Sequence, residues 1–212
     1  AAETGAAQLE AVADAPVIAA APAAGYEDTP VPLHLAVASG DRDGSEHIDS
    51  VVVSGLPAGA QLVGNGITAL GGGRFGVDPA QVGSLAVLPP ANAHGSFSVT
   101  VTATSVEDSN GDSSTSTHTV GFSVAPVPDA PLVSAGHATG AEDTAIPLAL
   151  SAQLADTDGS EVMSLVVSGL PTGAILSAGI NNGNGSWTLL PGQLAGLRIT
   201  PPGDFSGTIA AT

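Results

Sequence analysis

Two hexapeptides hold the residues best suited to chemistry, Asp41-Arg42-Asp43-Gly44-Ser45-Glu46 and Asp156-Thr157-Asp158-Gly159-Ser160-Glu161. Each gathers three carboxylates and a hydroxyl around a glycine in one short turn. Grouped hard oxygens of this kind coordinate hard cations. Ca²⁺ takes roughly 6–8 oxygen ligands at about 2.3–2.6 Å, whereas Mg²⁺ keeps more of its water. The chain has no Cys, and its five His (His34, His47, His94, His118, His137) are scattered, which argues against transition metals. Ca²⁺ is the expected cofactor. The competing reading is that Asp-Gly, Asn-Gly and Glu-Asp are ordinary turn formers.

The other acids are grouped as well. Glu27 and Asp28 recur as Glu142 and Asp143, each pair followed by Thr. Asp14 and Asp129 stand in Asp-Ala-Pro. Glu107, Asp108 and Asp112 share one hairpin, Asp204 follows Pro201-Pro202, and Asn92 follows Pro89-Pro90. Sixteen of the twenty acidic residues lie in these motifs, so the charge is concentrated at turns.

The balance of charge narrows the partners. Three Arg and no Lys stand against twenty acids, for a net charge of −17. Phosphate neutralisation needs a basic surface, so nucleic-acid binding is excluded. Binding to an anionic membrane surface is not expected on the same ground, and no apolar run reaches the 18 or so residues of a spanning helix. The start of the chain lacks the basic region of a signal peptide. Hydrophobic residues make up 43%, too many for a disordered acidic tail. The core must be aliphatic, because aromatics are only 3%. Without Cys no disulfide staples it.

No catalytic constellation is visible, and the chain is read as a non-enzyme. No Gly-x-Ser-x-Gly elbow precedes a helix. Gly71-Gly72-Gly73 has no following Lys or helix, so it reads as a hairpin loop and not a phosphate cradle. A glycosidase-like carboxylate pair would need an aromatic-lined cleft, which this composition does not supply.

The elements that carry the acids form a repeat. Val12-Ala13-Asp14-Ala15-Pro16 returns 115 positions later as Val127-Pro128-Asp129-Ala130-Pro131. The Glu-Asp-Thr and Asp-x-Asp-Gly-Ser-Glu motifs keep that offset. Ser54-Gly55-Leu56-Pro57-Ala58-Gly59-Ala60 returns 114 later, and Leu88-Pro89-Pro90 returns 112 later as Thr200-Pro201-Pro202. Conserved order with a drifting offset marks two homologous units with small loop deletions. The expected division is a tail of a preceding repeat over 1–12, a complete repeat over 13–127, and a second repeat over 128–212 that stops short of its last strands.

Both units read as all-β. Leu33, Leu35 and Val37 alternate with His34, Ala36 and Ala38 over an expected strand 31–38. Phe97, Val99, Val101 and Ala103 alternate with Ser and Thr, and Val120, Phe122 and Val124 do so on the next strand. Period two with hydroxyls outward marks half-buried antiparallel strands. Turn signals fall every 8–15 residues, and no helical period is convincing. About seven short strands per unit fit an Ig-like sandwich. A strand over 31–38 puts Glu27 and Asp41 roughly 25 Å apart, at opposite ends of a unit, at about 3.3 Å per residue. Stacking two such units brings Glu27, Asp28 and Asn92 toward Asp129, Asp156, Asp158 and Glu161. Those acids repel without a cation.

These motifs resemble the cadherin-like repeats of large bacterial secreted adhesins of the repeats-in-toxin and biofilm type. The strings that carry the resemblance are Glu142-Asp143-Thr144-Ala145-Ile146-Pro147-Leu148, Asp156 to Glu161, Ser168 to Ala174, Gly185-Ser186-Trp187-Thr188-Leu189 and Pro201-Pro202-Gly203-Asp204-Phe205-Ser206-Gly207. The resemblance implies Ca²⁺ at inter-repeat junctions, with Glu27, Asn92 and Asp129 meeting Asp156 and Asp158. It also implies that Glu107 or Asp108 joins Asp14, Asp41 and Asp43 at the upper end of unit one, beside Glu46. Glu142, Asp143 and Asp204 are the corresponding lower set of unit two. Unit one departs from the pattern, with Asn92-Ala93-His94-Gly95 where unit two has Asp204-Phe205-Ser206-Gly207, so its neutral amide implies a weaker site.

The function this implies is a spacer of an extracellular surface adhesin, secreted by a type I route and stiffened by Ca²⁺, supporting adhesion and biofilm formation. The alternative is a carbohydrate (exopolysaccharide) binding module, for which Trp187 and Tyr26 are the stacking candidates. Trp187 is expected in or beside the core, in the place Phe75 holds in unit one. Self-association through an open sheet edge of unit two is a third expectation.

Overall fold

The computed structural model describes residues 10–41 and 43–212. Most of the expected tail over 1–12 lies outside the described residues, as does Arg42. The chain is nearly all β, its sheets antiparallel but for one parallel pair. It divides into two compact units, with the boundary between Val127 and Pro128. Among the described residues no helix is long and apolar enough to cross a membrane.

Unit one has strands β1 (Val17–Ala20), β2 (Ala23–Tyr26), β3 (Val31–Pro32), β4 (Leu35–Ala38), β5 (Glu46–Ser54), β6 (Gln61–Val63), β7 (Ile67–Gly71), β8 (Arg74–Val77), β9 (Ala86–Leu88), β10 (Gly95–Glu107) and β11 (Ser113–Ala125). They form a six-stranded sheet β2-β11-β10-β5-β8-β7, a three-stranded sheet β3-β9-β6 and a pair β1-β4. The parallel pair is β2 beside β11. One core takes Val51, Val53, Val99, Val101, Ala103, Val120, Phe122 and Val124 from the large sheet. It takes Val31, Leu33, Leu35, Leu85 and Val87 from the other strands and their connections. The period-two stripes of β10 and β11 supply this face because alternate Cβ atoms point to opposite sides. Their outer hydroxyls pair across the strands, Thr102 with Thr117 at 3.2 Å and Thr104 with Thr115 at 3.1 Å.

The expected strand 31–38 is broken. Val31 and Pro32 pair with β9, whereas Leu35–Ala38 pair with β1. Between them His34 takes a left-handed φ of 48°, a conformation His adopts more readily than most residues. The kink moves the chain from one sheet to another while Leu33 and Leu35 both stay buried. A 3₁₀ turn forms at Pro79–Ser84, where no helical period was expected. Asp78 caps it by accepting from the amide of Ala80, and Pro79 opens it. Six residues are too few to show a period, although Asp-Pro is itself a helix-start signal.

Unit two has β12 (Leu132–Ala135), β13 (Ile146–Pro147), β14 (Leu150–Gln153), β15 (Leu165–Val167), β16 (Ile175–Leu176), β17 (Ile180–Asn181), β18 (Trp187–Leu189) and β19 (Arg198–Thr200). Its sheets are β12-β14, β13-β19-β16 and β15-β18-β17. These reproduce β1-β4, β3-β9-β6 and β5-β8-β7 of unit one, strand for strand. Leu148 donates to the carbonyl of Leu197 as Leu33 does to that of Leu85. Trp187 lies opposite Val167, as Phe75 lies opposite Val53. It is buried with Leu170, Leu176, Leu189 and Leu197.

Candidate metal centre

The two acidic turns are built alike. In unit one Asp41 Oδ1 accepts from the amide of Asp43 at 3.1 Å, and Asp43 Oδ1 accepts from the amide of Ser45 at 2.8 Å. Ser45 Oγ donates to Asp41 Oδ2 at 3.2 Å. In unit two the same bonds join Asp156 to Asp158 at 2.9 Å, Asp158 to Ser160 at 2.7 Å, and Ser160 Oγ to Asp156 Oδ2 at 3.1 Å. Gly44 and Gly159 close the turns at φ 85° and 94°, where a side chain is strained. The side-chain and then the backbone bond from Ser45, followed by the contact with Asp41, hold the Asp43 carboxyl below its ordinary value.

In unit one the turn meets the linker. Glu46 Oε1 accepts from the amide of Asp14, and Glu46 Oε2 accepts from Ser39 Oγ at 2.7 Å. One carboxylate oxygen each of Asp14, Asp41 and Glu46 lies within 4.8 Å of the others. Nearby, His47 Nδ1 pairs with Asp108 Oδ1 at 2.6 Å. Three carboxylates so close repel, and a shared cation relieves that repulsion.

The strand and hairpin behind this cluster hold it in place. The inward stripe of β10 runs out through Ser105 and Glu107, both fully buried. Ser105 Oγ donates to the carbonyl of Asp14. Glu107 accepts from Ser45 Oγ and from Ser109 Oγ, each at 3.0 Å. Glu107 is therefore the acid that joins the turn, while Asp108 turns to His47. Asp112 Oδ2 accepts from the amide of Ala13 at 3.1 Å, and Asn110 Nδ2 donates to the carbonyl of Ala11 at 2.7 Å. These four residues tie the linker to the hairpin. Ser39, Ser105, Asn110 and Asp112 were not among the expected site residues. A polar residue continuing an apolar inward register was the available signal for Ser105.

The lower acids have a conformational reason for their type. Asp28, Asn92, Asp143 and Asp204 all have φ between 54° and 59°, the region Asn and Asp tolerate best. Asp28 Oδ1 accepts from the amide of Asn92 at 3.1 Å, and Asp143 Oδ1 accepts from the amide of Asp204 at 3.0 Å. These four are turn formers first. Glu27 differs: it is 3% exposed, its Oε1 accepts from the amide of Val127, and its Oε2 is buried without a partner. Glu142 is exposed. In unit two Glu161 Oε1 accepts from the amide of Asp129, and Glu161 Oε2 is again buried without a partner. A buried carboxylate oxygen that lacks a donor is costly, and both orphaned oxygens suit a hard cation.

No protein-family model matches the chain, and no curated protein matches it.

Proposed function

We propose that the chain is a tandem of Ig-like, cadherin-like β-sandwiches that serves as a non-enzymatic structural spacer of an extracellular bacterial surface adhesin. Ca²⁺ binds at the acid-bearing ends of the repeats, where the linker aspartates lie, and stiffens the array. The observation that carries this reading is the acidic turn itself. The same hydrogen-bonded Asp-x-Asp-Gly-Ser-Glu turn occurs in both units. In each, its glutamate reaches the amide of the linker aspartate. Asp14, Asp41 and Glu46 then supply anionic oxygens within 4.8 Å of one another. Orphaned buried oxygens on Glu27 and Glu161 support the same conclusion.

The secreted and adhesive part of the reading rests on the resemblance of the repeats to adhesin extenders. The carbohydrate-binding alternative is weakened by the burial of Trp187 in the unit-two core, which removes it as a stacking platform. Melting curves in CaCl₂, MgCl₂ and EGTA test the proposal. A Ca²⁺-specific rise in melting temperature, reduced in Asp156→Ala/Asp158→Ala, is expected. Equal curves in all three buffers would remove the metal from the account.

A further inference from the structure

The two acidic turns differ at three positions, Ser39, Gly40 and Arg42 against Leu154, Ala155 and Thr157, and the first of these bears on the glutamate. In unit one Ser39 Oγ donates to Glu46 Oε2 at 2.7 Å and accepts from the amide of Asp41 at 3.2 Å. With Asp14 on the other oxygen, both oxygens of Glu46 are held by the chain's own donors. The residue 115 positions later is Leu154, which has no hydroxyl. Glu161 still accepts from Asp129, but its Oε2 is buried without a partner. The three bonds inside the Asp-x-Asp-Gly-Ser turn are matched in the two units, and the donor that Glu46 Oε2 has in Ser39 is missing beside Glu161.

Resting on the Ca²⁺ reading above, we propose that Ser39 and Leu154 set the order in which the two turns take up Ca²⁺, with the unit-two turn loading first and more tightly. A cation reaching Glu46 Oε2 must displace a hydrogen bond to a charged oxygen. A cation reaching Glu161 Oε2 displaces nothing and relieves an unsatisfied buried group. Ser39 and Leu154 are positioning residues in this scheme, and neither contributes a ligand. Unit one then keeps its turn shaped in low Ca²⁺, while unit two depends on the ion.

The test is calorimetric titration of the full chain with Ca²⁺, backed by Tb³⁺ luminescence. Asp41→Ala and Asp156→Ala assign the weak and tight classes to their units. Leu154→Ser is expected to weaken the tight class about tenfold, and Ser39→Ala to tighten the weak class by a similar factor. Tenfold corresponds to about 1.4 kcal/mol, the size of one hydrogen bond to a charged group. Ser39→Ala is also expected to lower the melting temperature in EGTA. It decides the matter alone if Leu154→Ser does not fold. Two classes that stay within about twofold of wild type in the folded variants would overturn the proposal and leave the Ca²⁺ reading standing. A wild-type chain that binds no Ca²⁺ would overturn both.

Discussion

Replacing Glu27 by Gln is predicted to move the stability of the chain in opposite directions with and without Ca²⁺. Glu27 is 3% exposed, and only one of its carboxylate oxygens has a donor. In EGTA the other oxygen carries buried charge with no compensation. An unsatisfied buried group costs about 1–3 kcal/mol, and more when charged. Gln keeps an oxygen for the amide of Val127 and removes the charge, so a gain of about 2 kcal/mol is expected. For a unit of this size that is a rise of roughly 6–10 °C in melting temperature. With Ca²⁺ the neutral amide is a poorer ligand than the carboxylate, so the Ca²⁺-induced rise shrinks. Scanning calorimetry of wild type and Glu27→Gln in both buffers reads the two effects. A fall in the EGTA melting temperature of Glu27→Gln would refute the reasoning. It would show that Glu27 serves only as a strong acceptor for Val127.

Further outcomes follow from the packing. Gly40→Ala sets a Cβ 2.6 Å from the carbonyl oxygen of Ala15 and 3.0 Å from Asp14 Cβ. Overpacking of this kind costs about 1–3 kcal/mol, and the displaced Asp14 should weaken Ca²⁺ binding by unit one, read by titration. Ser105→Ala removes the donor to the carbonyl of Asp14, so a loss of about 0.5–1.5 kcal/mol in chemical denaturation is expected; no change would mean that the contact contributes nothing. Trp187→Ala should destabilise unit two by about 3–5 kcal/mol, seen as an early melting step. A stable variant that had selectively lost glycan binding would instead restore the carbohydrate reading.

The all-β, antiparallel character was legible because period two and turn chemistry are local. The Gly71-Gly72-Gly73 loop joins β7 to β8 with all three glycines at positive φ, and Trp187 occupies the core position inferred from Phe75. The repeat was legible through motif order, and the same strands pair in the same register in both units. The kink at His34 was not, because hydrophobic alternation continues through Leu33 and Leu35 across the change of sheet. The acids were found by type, but type alone could not sort them. Asp28, Asn92, Asp143 and Asp204 answer a backbone need at positive φ. Asp14, Asp41 and Glu46 converge through contacts such as Ser105 to Asp14, 91 positions apart in the chain. No local pattern encodes a contact at that distance. The Ser39-to-Glu46 bond lay within reach of a repeat comparison, since Leu154 stands where unit one has Ser39, just before the repeated Asp-x-Asp-Gly-Ser-Glu motif.

Ca²⁺ binding by the repeated acidic turns is the property on which the proposed function depends. Calorimetric titration of the intact chain with CaCl₂ against MgCl₂, repeated on Asp156→Ala/Asp158→Ala, tests it most directly. Saturable Ca²⁺ binding that exceeds Mg²⁺ binding and loses its tightest component in the double variant is expected. Absence of saturable Ca²⁺ binding, or binding that the double variant leaves intact, would contradict it.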